Sequence, residues 1–186
     1  MERIIKTVTE KHRIPALDFV ERVFTEHRDA AEGKAVRALV EEIRAKRYYL
    51  PEMELIMVDE ADAIIGYAMF SRFPLEGKYE NELLLLSPVA VKTALQRQHI
   101  SKELLEYGMA KAAGLGFRAA IVEGDPRNYR ARGFDTAVKY GIVPGPTVRL
   151  PHIDCLMAAP LVPRGLEGIA GVVDYGFYDA LTSPEA

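Results

Sequence analysis

Apolar residues along the chain change period several times, and each change predicts an element. "IIKTVT" (4–9) reads as a short first strand running into a polar turn at Thr9. "IPALDFVERVFTEHR" (14–28) places Leu17, Val20, Val23 and Phe24 at helical spacing. "AEGKAVRALVEEIRAKRYY" (31–49) repeats the pattern with Val36, Leu39, Val40 and Ile43. The period then shortens. "LIMVDEADAIIGYAMFSRF" (55–73) predicts two strands joined by the acidic turn "DEADA". "ELLLLSPVAV" (82–91) is a near-continuous apolar run, as expected of a central strand covered on both faces.

Within that run, Pro88 has no amide hydrogen for a sheet ladder, so a bulge or splay is expected at Ser87–Pro88. A helix follows from about Ile100 to Ala113, with Ile100, Leu104, Leu105 and Ala112 on one side and Gly114 or Gly116 to end it. "RAAIVEG" (118–124) is the next strand. Asp125 and Pro126 have the character of an N-cap and a first helical residue, opening a short helix in "DPRNYRARGF". "IDCLMAAPL" (153–161) and "GIAGVVDY" (168–175) complete the extended pieces. The order predicts an α/β or α+β protein with a mixed sheet and no repeat or linker, hence one domain over 1–186.

Composition narrows the functional classes. A net charge of −3 with no basic stripe gives no reason to expect nucleic-acid binding. The only cysteine, Cys155, allows no internal disulfide and reads as a small buried hydrophobe within its strand. His12, His27 and His152 lack metal-ligand spacing, so no metal is expected. The charged N-terminus has no signal-peptide core, and no apolar run approaches the ~20 residues that span a bilayer. A cytoplasmic protein without membrane contact is the expectation.

Candidate chemistry concentrates at one junction. "QRQHIS" (96–101) lies between the long apolar strand and a helix start, where backbone amides lack intrahelical partners and the helix dipole favours an anion. The amides of Gln98, His99, Ile100 and Ser101 are the ones left free, with Arg97 and Lys102 adding positive charge. A plain helix start with two solvated cations has the same sequence character. A strand splayed at Pro88 would offer the main chain of Val89 and Val91 to an extended ligand. Tyr129, in the short helix after the next strand, is a candidate general acid, and otherwise a packing residue. Tyr48, Tyr49 and the loop "PLEGKYEN" (74–81) either border a second pocket or simply pack and connect.

These three features, in this order, resemble the GNAT superfamily of acetyl-CoA-dependent N-acetyltransferases, and within it the YhbS-like group. The resemblance is carried by "SPVAV", then "QRQHIS", then "RAAIVEGDPRNYRARGF". The family turn reads Gln or Arg, two variable residues, Gly, one variable residue, then Gly or Ala. The group's second signature is matched by Gly124, Asp125, Pro126, Tyr129, Gly133 and Phe134. The likeness is strongest from about Leu83 to Tyr175. It departs at His99 and Ser101, where glycine, or glycine and alanine, are usual.

The resemblance implies a mostly antiparallel, helix-flanked sheet with a splay between its fourth and fifth strands. It implies that Val89, Ala90 and Val91 bind a pantetheine arm and that Gln96 to Ser101 hold a diphosphate. It further implies that Tyr129 protonates the CoA thiolate. Acetyl-CoA is the implied co-substrate and a small-molecule or peptide amine the implied acceptor; homodimers are frequent in the superfamily. Glu82 and Glu123 stand at strand ends as candidates for a general base, Glu123 being better placed. The alternative is a non-catalytic acyl-CoA-binding or regulatory module on the same fold. A nucleotide-binding domain of another type lacks its glycine-rich or lysine-containing phosphate loop here.

Overall fold

Pleated apolar runs of this length must bury both faces, and the chain does so with helices on either side of one large sheet. The structure, a computed structural model, describes residues 2–182. Its strands are β1 (Ile4–Thr7), β2 (Glu54–Val58), β3 (Ile64–Arg72), β4 (Leu83–Val91), β5 (Ala119–Glu123), β6 (Asp135–Thr136), β7 (Ile142–Pro144), β8 (Leu156–Pro160) and β9 (Gly171–Val173). The helices are α1 (Arg13–His27), α2 (Ala30–Ala45), α3 (Ile100–Gly114), α4 (Pro126–Tyr129) and α5 (Asp179–Thr182). The seven-stranded sheet has the order β1-β2-β3-β4-β5-β8-β6, and β7 pairs with β9 in a small second sheet. Within the large sheet β4 and β5 run parallel and the other neighbours antiparallel. Among the described residues no helix is long and apolar enough to cross a membrane.

Alternation along the strands divides the core in two. Ile56, Tyr67, Leu85 and Ile121 face α1 and α2 and meet Leu17, Val20, Val40 and Ile43. Leu55, Phe70, Leu84 and Val122 face α3 and meet Ile100, Leu104 and Leu105. Each such aliphatic side chain, fully buried, stabilises the fold by about 1.5–3 kcal/mol relative to exposure. Gly108 lets α3 approach the sheet: a Cβ there would stand 2.4 Å from the Phe70 ring.

Two features of β4 shape the site. Its pairing with β3 passes from Ala68↔Val89 to Phe70↔Leu86, so Ser87 and Pro88 together oppose Met69. That is the expected bulge. On its other edge, β4 pairs with β5 only through Leu83↔Ala119, Leu84↔Ala120 and Leu85↔Ile121. Beyond Leu85 the two strands part, which is the expected splay.

Several boundaries differ from the sequence reading. α2 stops at Ala45, so Tyr48 and Tyr49 lie beyond it and pack against the core. Strand β8 begins at Leu156, because Ile153–Cys155 form a 3-10 turn; Cys155 is half-buried in that turn, not buried in a strand. The short strands β6 and β7 and helix α5 carry too few residues to show a period. Helix α5 is held by Glu42, whose carboxylate oxygens each accept from an amide at its start, Asp179 and Ala180, at 2.9 Å. The segment leading into α5 packs Tyr175, Phe177 and Tyr178 against Tyr48 and Phe73.

Candidate active site

The parting of β4 from β5 opens a cleft of about 590 Å³. One wall is the free edge of β4, represented by Val89, Ala90 and Val91. The turn into α3 supplies Gln96, Arg97, His99, Ile100 and Ser101. Opposite them stand Asn128, Tyr129 and Arg132, and the end of α1 closes the cleft with Val23, Phe24 and His27. Nine of the eleven site residues expected from the sequence line this cleft; Gln98 and Glu123 do not.

The turn is built from left-handed backbone. Arg97 has φ 63° and His99 φ 65°, a region that costs a non-glycine residue roughly 1–2 kcal/mol. His99 thus adopts the conformation for which glycine is suited, while Ser101 lies inside the helix. Glu103 N donates to the His99 carbonyl at 2.9 Å, and no side chain caps the helix start. The amides ahead of Glu103 are therefore left for a ligand. Gln98 instead turns its carbonyl to Arg3 Nη1 at 2.8 Å. Lys102 lies away from the cleft, 3.8 Å from Glu106 one helical turn on.

Tyr129 reaches the cleft because Gly124 leaves room for it; a Cβ at Gly124 would lie 2.4 Å from the tyrosine ring. The ring packs edge-on against Phe134, with centroids 5.6 Å apart. Burial pushes the Tyr129 hydroxyl up to about 12, with the positive charge of Arg132 opposing the rise. A tyrosine so placed is protonated at neutral pH and able to donate.

Glu123 ends β5. Continuing the register Leu85↔Ile121 by two residues sets it level with Ser87, at the point where the strands diverge. Its carboxylate accepts from Tyr175 Oη at 3.1 Å. Desolvation raises its pKa above the ordinary carboxylate value, and the Tyr175 hydrogen bond holds back part of that rise. The other base candidate, Glu82, precedes β4 at the end remote from the cleft and is paired with Arg118.

The sequence reading missed Asn128, Arg132, the α1 residues and Tyr175. Nothing in spacing distinguished Arg132 from Arg127 or Arg130, and the α1 residues carried only a core-facing period. The cleft lining contains two arginines and two histidines and no carboxylate, a balance suited to an anion.

The family model described as "Acetyltransferase (GNAT) family" matches residues 16–135. The chain belongs to the GNAT acetyltransferase family. Among its relatives is the uncharacterized N-acetyltransferase YhbS of Escherichia coli strain K12, 25% identical over 149 residues, which span 80% of this chain and 85% of that one. The crystal structure of Escherichia coli YhbS in complex with CoA superimposes with a TM-score of 0.81 at 22% identity, covering 96% of this chain and 92% of that one. A GNAT acetyltransferase from Brucella melitensis, in complex with acetyl-CoA, gives 0.70 at 19% identity, covering 96% and 99%. The GNAT sheet expected from the resemblance, mostly antiparallel with its β4–β5 splay, is the one observed.

Proposed function

We propose that residues 1–186 form one N-acetyltransferase domain that moves an acetyl group from acetyl-CoA to a primary amine by direct attack in a ternary complex. The observation that carries this reading is the convergence on one cleft of the free β4 edge, an uncapped helix start and a protonated tyrosine. The complexes of the two solved GNAT relatives with CoA and acetyl-CoA support the choice of co-substrate.

Bound acetyl-CoA supplies an activated thioester, whose C–S bond breaks as the C–N bond to the amine forms. The chain's residues do the rest. Val89 to Val91 offer main-chain groups to an extended arm, and an amide near Val89 or Ala90 polarises the thioester carbonyl. The amides and cations from Gln96 to Ser101 hold the diphosphate. Glu123 takes the proton released by the attacking amine, and Tyr129 donates a proton to the departing thiolate. The acceptor is a small-molecule or peptide amine.

Calorimetric titration with acetyl-CoA, with ATP as a control, tests the binding half. A panel of primary amines, assayed for free CoA thiol, tests transfer. Binding of acetyl-CoA and thiol release with at least one amine are expected; ATP binding without acetyl-CoA binding would overturn the reading. The absence of a carboxylate from the cleft lining favours a second reading, a non-catalytic acyl-CoA-binding module. It predicts binding with no transfer to any amine.

A further inference from the structure

Three arginines follow one another in the segment after β5, and they have different partners. Arg127 pairs with Asp125 at 2.6 Å, and Arg130 lies 3.9 Å from Asp154. Arg132 alone of the three lines the cleft, and it has no carboxylate partner among the described residues. Its Nη2 instead donates to Ser101 Oγ at 3.0 Å, across the cleft mouth on the first turn of α3. Its Nη1 donates to the Asn128 carbonyl. Its Nε is buried with no hydrogen-bond partner.

A guanidinium is always charged and presents its donors in a fixed fork suited to phosphoryl oxygens. Nη1 and Nη2 each spend one hydrogen on the contacts above, which leaves a second on each for an anion in the cleft. Arg97 stands on the turn across from it, also lining the cleft. Ser101 caps nothing at the start of α3. As an acceptor for Arg132 it holds the fork beside the free amides of the turn.

We infer that Arg132, positioned by Ser101, is a diphosphate-binding residue, closing over the cofactor's diphosphate from the wall opposite the α3 turn. The inference rests on the acetyl-CoA reading and adds a side-chain clamp to the backbone cradle. Ser101 is the positioning residue of the pair. A proton-bearing hydroxyl can accept from Arg132 and still donate to a phosphoryl oxygen. The pair explains how this chain keeps a diphosphate site with a side chain where the turn usually has none: the serine recruits a cation that a glycine could not hold.

The test is calorimetry of wild type, Arg132→Gln, Arg132→Lys and Ser101→Ala with CoA and with 3′-dephospho-CoA, and ligand-observed NMR with pantetheine. Loss of a charge-assisted contact should weaken CoA and 3′-dephospho-CoA by the same factor, about 10- to 100-fold, in Arg132→Gln. Pantetheine, which lacks the diphosphate, should bind the variant as it binds wild type. Arg132→Lys should recover part of the loss, since charge remains while the fork is gone. Ser101→Ala should weaken CoA by roughly 3- to 10-fold and add little on top of Arg132→Gln, because the two act as a unit. Weakening of CoA but not 3′-dephospho-CoA would move the contact to the 3′-phosphate and overturn the inference. Equal weakening of pantetheine would make the arginine structural, and unchanged affinities would remove it from the site. Failure of the wild type to bind CoA would instead sink the acetyl-CoA reading itself.

Discussion

Two polar clusters, one under α2 and one at the β4–β5 cleft, are finished to different degrees. Under α2, Glu54 is fully buried and Arg44 nearly so. Arg44 grips both carboxylate oxygens through Nε and Nη2, while Tyr49 and Tyr67 donate hydroxyls at 2.6 and 2.8 Å. Arg44 Nη1 is used as well, on the Arg13 carbonyl at 3.1 Å. Charge and hydrogen-bonding capacity are matched, so nothing remains for a ligand. At the β4–β5 cleft the opposite holds. Arg132 keeps a buried Nε unused, the helix start is uncapped, and the lining has no carboxylate. A closed network fixes the packing of α2 on the sheet; an open one is what a binding site requires. Burial alone would have pointed to the wrong cluster.

The largest effect should come from breaking the closed network. Glu54→Ala leaves the Arg44 charge buried and unpaired and should destabilise the fold by about 3–5 kcal/mol. Urea unfolding measures it; a loss below about 1 kcal/mol would show that water or another group takes over the arginine, so the network is not closed. The folded fraction should still bind acetyl-CoA with unchanged affinity.

At the open cluster the large effect is kinetic. Tyr129→Phe should lower kcat by about 100-fold or more while acetyl-CoA affinity stays within about twofold. Steady-state kinetics with an accepted amine, set beside calorimetry, separates the two; unchanged turnover removes Tyr129 from the chemistry.

A smaller effect connects the cleft to the C-terminal segment. In the proposed reaction Glu123 accepts a proton only when ionised, and its pKa is raised, so activity should fall as pH drops through a value above the ordinary carboxylate range. Tyr175 stabilises the ionised form. Tyr175→Phe should therefore raise the Glu123 pKa further and move the acid limb of the kcat/KM profile to higher pH, by about half a unit to one unit. A limb that stays put or moves to lower pH would separate Tyr175, or Glu123 itself, from the base.

The smallest concerns the turn. His99 occupies left-handed backbone at φ 65°. His99→Gly should stabilise the protein by about 0.5–1 kcal/mol, once glycine's greater unfolded-state freedom is set against the relieved strain. That is roughly 1–4 °C in Tm by scanning calorimetry. A lower Tm would mean that the imidazole makes a compensating contact.

Legibility followed the distance in sequence between the groups concerned. The face of α3 was readable because Ile100, Leu104, Leu105 and Ala112 recur with the helical period, and all four are buried. The bulge at Ser87–Pro88 was readable because proline cannot serve a ladder on any fold. Strand β7, which pairs in parallel with β9, was not readable: three residues show no period, and the partner is remote in sequence. In the site, β4 and the α3 turn are neighbours in the chain, and their residues were found together. Arg132 meets Ser101 from 31 residues away, and Tyr175 meets Glu123 from 52.

By itself, then, the amino-acid sequence determined which segments bury a face, where β4 must break its ladder, and which turn leaves amides free. These are local consequences of side-chain period, a missing donor and a helix end. Only the tertiary structure decided which arginine stands in the cleft without a carboxylate, which tyrosine steadies Glu123, and which buried carboxylate is already satisfied. Each of those depends on groups from separate elements meeting at hydrogen-bond distance, and a residue's own period reports the face it occupies but not what arrives there from elsewhere in the chain.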